Sequence, residues 1–160
     1  MVFRKLVIDT NVLYSYIEES PYEDKYETCQ ELLDNIKNYC HNKVCYNDKI
    51  LKEYKKFEQF AKSHGKWRFY KNWKGIMTYS NKFKWIELAN IEVIIKHNDD
   101  HRFYQTAYNT EDKIFITQEV KLLAKLNEVF EHHSIKTLHV EEANKIVIIE
   151  GPVEFENFPE

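Results

Sequence analysis

The chain has 160 residues, 43% of them hydrophobic and 31% charged, with a formal net charge of -3. That length suits one domain able to bury about 70% of its extended surface, so a core forms without staples. The longest apolar run falls far short of the ~20 residues of a membrane span, no signal peptide opens the chain, and three cysteines (Cys29, Cys40, Cys45) without a C-x-x-C exclude a disulfide scaffold or a zinc knuckle, so a reducing cytoplasm is the expected location.

In chain order, residues 2–8 are a β-branched run and predict a buried strand. A helix pattern follows over 12–17, and Ser20-Pro21 breaks it. The next helix is expected over 22–41, with Tyr26, Cys29, Leu33, Ile36 and Cys40 on one face. Residues 44–46 read as a short strand, and Asn47 or Asp48 can cap a helix over 50–61. Residues 64–90 are helical in propensity but interrupted at Gly65 and Gly75. A strand is expected at 91–95, a helix near 100–109, a strand at 114–116, a helix over 119–132 and a strand over 135–140. A last strand is expected at 146–149, before Gly151-Pro152 opens an acidic tail, 150–160. Alternating strands and helices predict an α/β fold with a mainly parallel sheet, in one domain over 1–149.

Four acids occupy similar places in this pattern. Residues at i, i+3, i+4 and i+7 of a helix share a face. Asp9 follows a strand and has Val12, Leu13 and Tyr16 at those offsets; Asp100 has Phe103, Tyr104 and Ala107. Glu119 has Leu122, Leu123 and Leu126, and Glu53 lies between Ile50 and Phe57, beside Tyr54. Each acid is therefore expected to point toward the side its helix buries. Three stand at helix starts, which in an open parallel sheet is the edge where ligands bind. One such acid is commonly a cap, but four gathered at one edge repel unless cations neutralise them. Hard divalent ions with oxygen ligands, Mg²⁺ or Mn²⁺, suit that role. Such ions activate water for attack on phosphorus, so phosphodiester hydrolysis is the expected chemistry.

The set resembles the motifs of PIN-domain nucleases. Asp9-Thr10-Asn11-Val12 resembles their opening motif, and Ile50-Leu51-Lys52-Glu53-Tyr54 the second. Asn98-Asp99-Asp100 through Ala107 resembles the third, and Ile114-Phe115-Ile116-Thr117-Gln118-Glu119 with Leu122-Leu123 the fourth. The resemblance spans roughly residues 4–140, in the family's order. It implies a three-layer α/β/α sandwich and a Mg²⁺- or Mn²⁺-dependent endoribonuclease in which Asp9, Glu53, Asp100 and Glu119 form the catalytic and metal-binding quartet. It also implies supporting roles for Asn11 and Thr117, an RNA substrate, a homodimer and, for VapC-type toxins, an antitoxin partner. The fourth motif usually carries Asp where this chain has Glu119, a departure that bears on a second metal more than on the first. Asp99 is the rival to Asp100, but one residue turns it ~100° away from the apolar face. Asp112 reads as a turn residue.

Lysine outnumbers arginine 20 to 3, and eleven of these bases fall between Lys49 and Lys84, against two acids. That segment is +9 and the rest of the chain -12. Its basic, aromatic helical part, 62–90, contains Lys66, Trp67, Arg68, Lys71 and Lys74, residues suited to phosphates and unpaired bases. Trp67, Tyr70 and Trp73 equally suit an ordinary helix face packed on the core. Five of the seven histidines (His97, His101, His132, His133, His139) read as surface or helix-end residues. Glycine-rich phosphate loops and a G-x-S-x-G elbow are absent. The first expectation is a cytoplasmic ribonuclease, with the toxin of a toxin–antitoxin pair as a candidate role. The alternative is a nucleic-acid-binding PIN-like module with impaired catalysis.

Overall fold

The computed structural model describes residues 3–14, 23–63, 67–155 and 158, with backbone alone for 23–26. The elements are β1 (Arg4–Ile8), α1 (Thr10–Leu13), α2 (Glu23–Asn38), β2 (Asn42–Tyr46), α3 (Asp48–Ser63) and α4 (Trp67–Tyr79). They continue with β3 (Phe83–Trp85), α5 (Asn98–Tyr108), β4 (Ile114–Ile116), α6 (Val120–Leu123), α7 (Leu126–His133), β5 (Lys136–Leu138) and α8 (Val140–Val147). The expected α/β class holds: five strands form one sheet in the order β3-β2-β1-β4-β5. Every pairing is parallel, with Leu6 opposite Val44 on one side and Ile114 on the other. Central strands of such a sheet are covered on both faces, which is why Leu6-Val7-Ile8 and Ile114-Phe115-Ile116 are apolar without alternation. Helix α2 packs against α4 and α8, while α5 lies on β1, β2 and β4 and α7 on β5. With right-handed crossovers these are the two outer layers of an α/β/α sandwich.

Several boundaries differ from the sequence reading. Residues 91–95 are not a strand. Val93 and Ile95 are buried, but the neighbouring backbone bonds to α5: Gln105 Nε2 donates to Ile91 O (3.3 Å) and Ala89 N–H to Gln105 O (3.0 Å). Residues 146–149 do not form the last strand either. Ile146 and Val147 complete the stripe Val140, Ala143, Ile146, Val147 that α8 buries. The expected helix over 119–132 is two helices, α6 and α7, and the chain turns at Ala124-Lys125 between them. Helix α4 runs through Gly75 without a break, and a Cβ there would meet nothing within 4 Å. Strand β3 falls inside the stretch read as interrupted helix. The acidic tail does not stand off in solvent: Phe158 is buried and its ring lies 5.0 Å from that of Phe130. All three cysteines are free thiols. Among the described residues no helix is long and apolar enough to cross a membrane.

Three polar side chains fasten the element ends. Asn47 caps α3, accepting from the Ile50 N–H at 3.1 Å, and its amide donates to Thr106 Oγ1 at 2.6 Å. Buried Lys82 donates to the carbonyls of Ile36, Lys37 and Tyr39 at the end of α2. Arg4 donates to the carbonyls of Ile146 (2.6 Å), Ile149 (3.0 Å) and Gly151 (2.8 Å), tying β1 to the end of α8. Replacing Arg4 with Met keeps the stem and removes the side-chain donor from all three carbonyls, of which Ile146 O keeps the Ile149 N–H at 3.1 Å. The variant is expected to lose on the order of 2–3 kcal/mol in urea unfolding. A loss below about 0.5 kcal/mol would show that solvent serves these carbonyls as well.

Candidate active site

The strand order reverses at β1, whose neighbours are β2 on one side and β4 on the other. Crevices at such switch points, beyond the carboxyl ends of the strands, are where parallel sheets bind ligands. Asp9 leaves β1 at that point, and Thr117-Gln118-Glu119 leaves β4 beside it. The pairing continues past both strands, with Asp9 N–H on Ile116 O (2.8 Å) and Thr117 N–H on Leu138 O (3.0 Å). Two chain segments more than a hundred residues apart in sequence are thereby locked side by side.

Their side chains form one network. Thr117 Oγ1 donates to Asp9 Oδ2 at 2.7 Å. The same hydroxyl accepts from Asn11 Nδ2 (3.3 Å) and from the Glu119 N–H (3.0 Å). Asn11 Oδ1 in turn accepts the Gln118 N–H at 3.2 Å. Asp9 is 7% exposed and caps α1, its other oxygen facing the Asn11 N–H at 3.5 Å. The supporting positions Asn11 and Thr117 thus orient Asp9 directly.

Burial pushes the Asp9 carboxyl up from 3.8 to about 6. The Thr117 bond works against this, while the charges of Asp100 and Glu119 add to it. Burial also raises Asp100, whose carboxyl is partly offset by His97 and pushed further up by Glu119. Asp9, Asp100 and Glu119 therefore feel one another across the crevice. Tyr104, one turn beyond Asp100 on α5, is fully buried. Burial raises its pKa, Asp100 and Asp9 add to the rise, and Thr137 opposes it.

The four predicted acids do not share one environment. Asp9 is buried and Asp100 half-buried, as expected. Glu119 is exposed: it caps the short α6 through the Lys121 N–H (3.4 Å) and stands at the rim instead of facing the core. Glu53 is half-buried on α3 and held by cations, Arg102 at 2.7 Å and Lys56 at 3.1 Å. The Arg102 contact was invisible in sequence because it joins two helices 49 residues apart. Asp99 is fully solvated, and Asp112 accepts the Lys5 N–H at 2.8 Å at the foot of β1. Among the described residues no group of three or more His, Cys, Asp or Glu stands as a ready-made cation cage.

The basic segment is divided by burial. Tyr70 and Trp73 belong to the core, with Trp73 Nε1 donating to Leu33 O at 2.8 Å. Trp67 is half-buried under Lys62, whose ammonium lies 4.7 Å from the ring centroid. Lys74 is ion-paired to Glu58, whereas Arg68 and Lys71 are exposed. Lys66 lies outside the described residues. The aromatics that reach solvent on this helix are Phe69, 69% exposed, and Tyr79, 94% exposed.

No family model, curated protein or solved structure matches the chain.

A carboxyl raised by burial binds its proton more tightly in the folded chain than in the unfolded one. The stabilisation is complete below about pH 4 and is lost as pH rises through about 6. Asp9→Asn removes the charge and keeps an acceptor for Thr117. In chelator-treated protein the variant is expected to overtake the wild type across this range, leading by on the order of 2 kcal/mol at pH 7. Urea titrations at several pH values measure the gap. A gap that does not change with pH would mean that the charge of Asp9 is not strained.

Proposed function

We propose that the chain is a metal-dependent, PIN-like endoribonuclease that hydrolyses RNA phosphodiester bonds. The observation that carries this reading is the buried Asp9 carboxyl, held by Thr117 at the switch point of a parallel sheet, with Asp100 at the start of α5 and Glu119 at the rim. Carboxylates kept ionised at close quarters need a cation, and an all-oxygen donor set favours Mg²⁺ or Mn²⁺. Asp9 and Asp100 would be the inner ligands, with Glu119 reaching in from the rim. A divalent cation bound there supplies a Lewis acid for the scissile phosphate and activates water for in-line attack.

The chain's own residues do the rest. Thr117 fixes the rotamer of Asp9 by occupying one carboxylate oxygen, and Asn11 fixes Thr117. The apolar floor of Ile8, Ile116 and Leu138, all buried, keeps bulk water below the crevice out. Arg68 and Lys71 offer exposed charge to the RNA backbone. The cytoplasmic location, the homodimer and the toxin role with an antitoxin partner belong to the same proposal and are supported by the motif resemblance.

A second reading is a PIN-like RNA-binding module without catalysis, and it is favoured by the hold of Arg102 on Glu53. Incubation of the purified protein with a mixed RNA pool, with and without Mn²⁺, separates the two. Cleavage that requires the ion is expected, and intact RNA in both arms would overturn the hydrolase reading.

Two finer outcomes follow from the geometry. In calorimetry, Asp9→Asn is expected to weaken Mn²⁺ binding more than about tenfold. Glu53→Gln is expected to weaken it less, because Arg102 already neutralises that acid. Equal losses would place Glu53 among the inner ligands. Replacing Arg68 and Lys71 with Gln should flatten the salt dependence of single-stranded RNA binding by about 1.4 in log–log slope, ~0.7 for each contact. An unchanged slope would assign both charges to solvation.

A further inference from the structure

A cavity of about 320 Å³ lies between α3, α4 and the sheet face of β2 and β3. Its walls are rings: Tyr46 and Phe83 from the sheet, Tyr54 from α3 and Tyr70 from α4, with Lys74 and Thr78 also lining it. The volume is at the lower end of the ~300–1,000 Å³ typical of small-molecule sites. Tyr46 and Phe83 meet edge to face at 6.2 Å. Trp85 stands opposite Tyr46 in the β2–β3 register, so it lies on the same sheet face, and it is 51% exposed. The aromatic surface therefore continues from the cavity to the open edge of the sheet.

Tyr54 joins this cavity to the candidate active site. One side of its ring is cavity wall, while its hydroxyl donates at 2.6 Å to Ile8 O, the carbonyl immediately before Asp9. The cavity is thus one tyrosine ring away from the strand end that carries the innermost acid. It also sits within the +9 segment between Lys49 and Lys84, which attracts a polyanion in a chain that is otherwise acidic.

We propose that this cavity binds one unpaired nucleobase of the RNA, held between tyrosine and phenylalanine rings beside the crevice of Asp9. The inference rests on the RNA substrate of the preceding section. A flat, π-faced ligand fits a chamber walled by four aromatic rings, and stacking of this kind tolerates any base. The limited volume then ranks bases by size. The phosphate attached to the base remains outside, among the lysines and toward the acids.

The test is direct binding without cleavage. Metal-free protein is titrated with uridine 5′-monophosphate, adenosine 5′-monophosphate and ribose 5-phosphate, followed by ligand-observed NMR. At least one nucleotide is expected to bind roughly tenfold more tightly than ribose 5-phosphate, which lacks the base. Thr78 is exposed at the cavity wall, so Thr78→Trp fills the chamber from a position the core does not use. That variant should bind the nucleotide at least about tenfold more weakly. Should it fail to fold, the ring resonances of Tyr46 and Phe83 in the wild type serve instead, and they are expected to shift on nucleotide addition. Equal binding of nucleotide and ribose 5-phosphate, an unaffected folded Thr78→Trp, or silent ring resonances would each overturn the proposal. Nucleotide binding without RNA cleavage would sink the hydrolase reading and leave the cavity assignment standing. Cleavage without nucleotide binding would do the reverse.

Discussion

A carboxylate buried where a parallel sheet changes direction organises the rest of this molecule. Asp9 has little water around it and two acids across the crevice, yet it is pinned by a 2.7 Å bond from Thr117. That bond exists only because β1 and β4 are neighbours, which brings residues 108 positions apart into contact. The cost of burying the charge is met by packing elsewhere, since Leu6-Val7-Ile8 and Ile114-Phe115-Ile116 beneath it are apolar on both faces. Local strain of this sort, offset by a rigid scaffold, is characteristic of places where a ligand completes the structure.

The scaffold beneath the crevice is rigid for reasons unrelated to the site. Lys82 and Arg4 each place a buried cation on helix-end carbonyls, closing α2 and α8. A run of edge-to-face rings, Tyr14 with Phe57 and Phe57 with Tyr70, joins the first turn after Asp9 to α3 and α4. The helices that present the basic surface are thereby coupled to the strand end that presents the acid.

Charge is sorted across this framework. The acids whose mutual repulsion is strongest lie on the loops after β1 and β4 and at the start of α5. Glu53 and Glu58, the two acids of the basic segment, are each answered by a cation, Arg102 and Lys74. Arg102 marks the boundary between the two regions.

Periodicity determined the α/β class, the parallel sheet and the positions of Asp9 and Asp100, while Asn11 and Thr117 came from the motif resemblance. Strand-then-helix alternation and acids at helix starts are local properties, and a one-dimensional pattern reports them faithfully. Tertiary structure decided everything that depends on what lies opposite. Residues 91–95 and 146–149 carry the same β-branched composition as the true strands, but a strand needs a free neighbouring edge. The first segment bonds to α5, and the second completes the buried stripe of α8. Glu119 kept its place at a helix start yet faces solvent. Lys74 read as a nucleic-acid ligand until Glu58 appeared beside it. Glu53 read as a free acid until Arg102 did. Long-range partners carry no local signature, and they alone settle which charges are free to act.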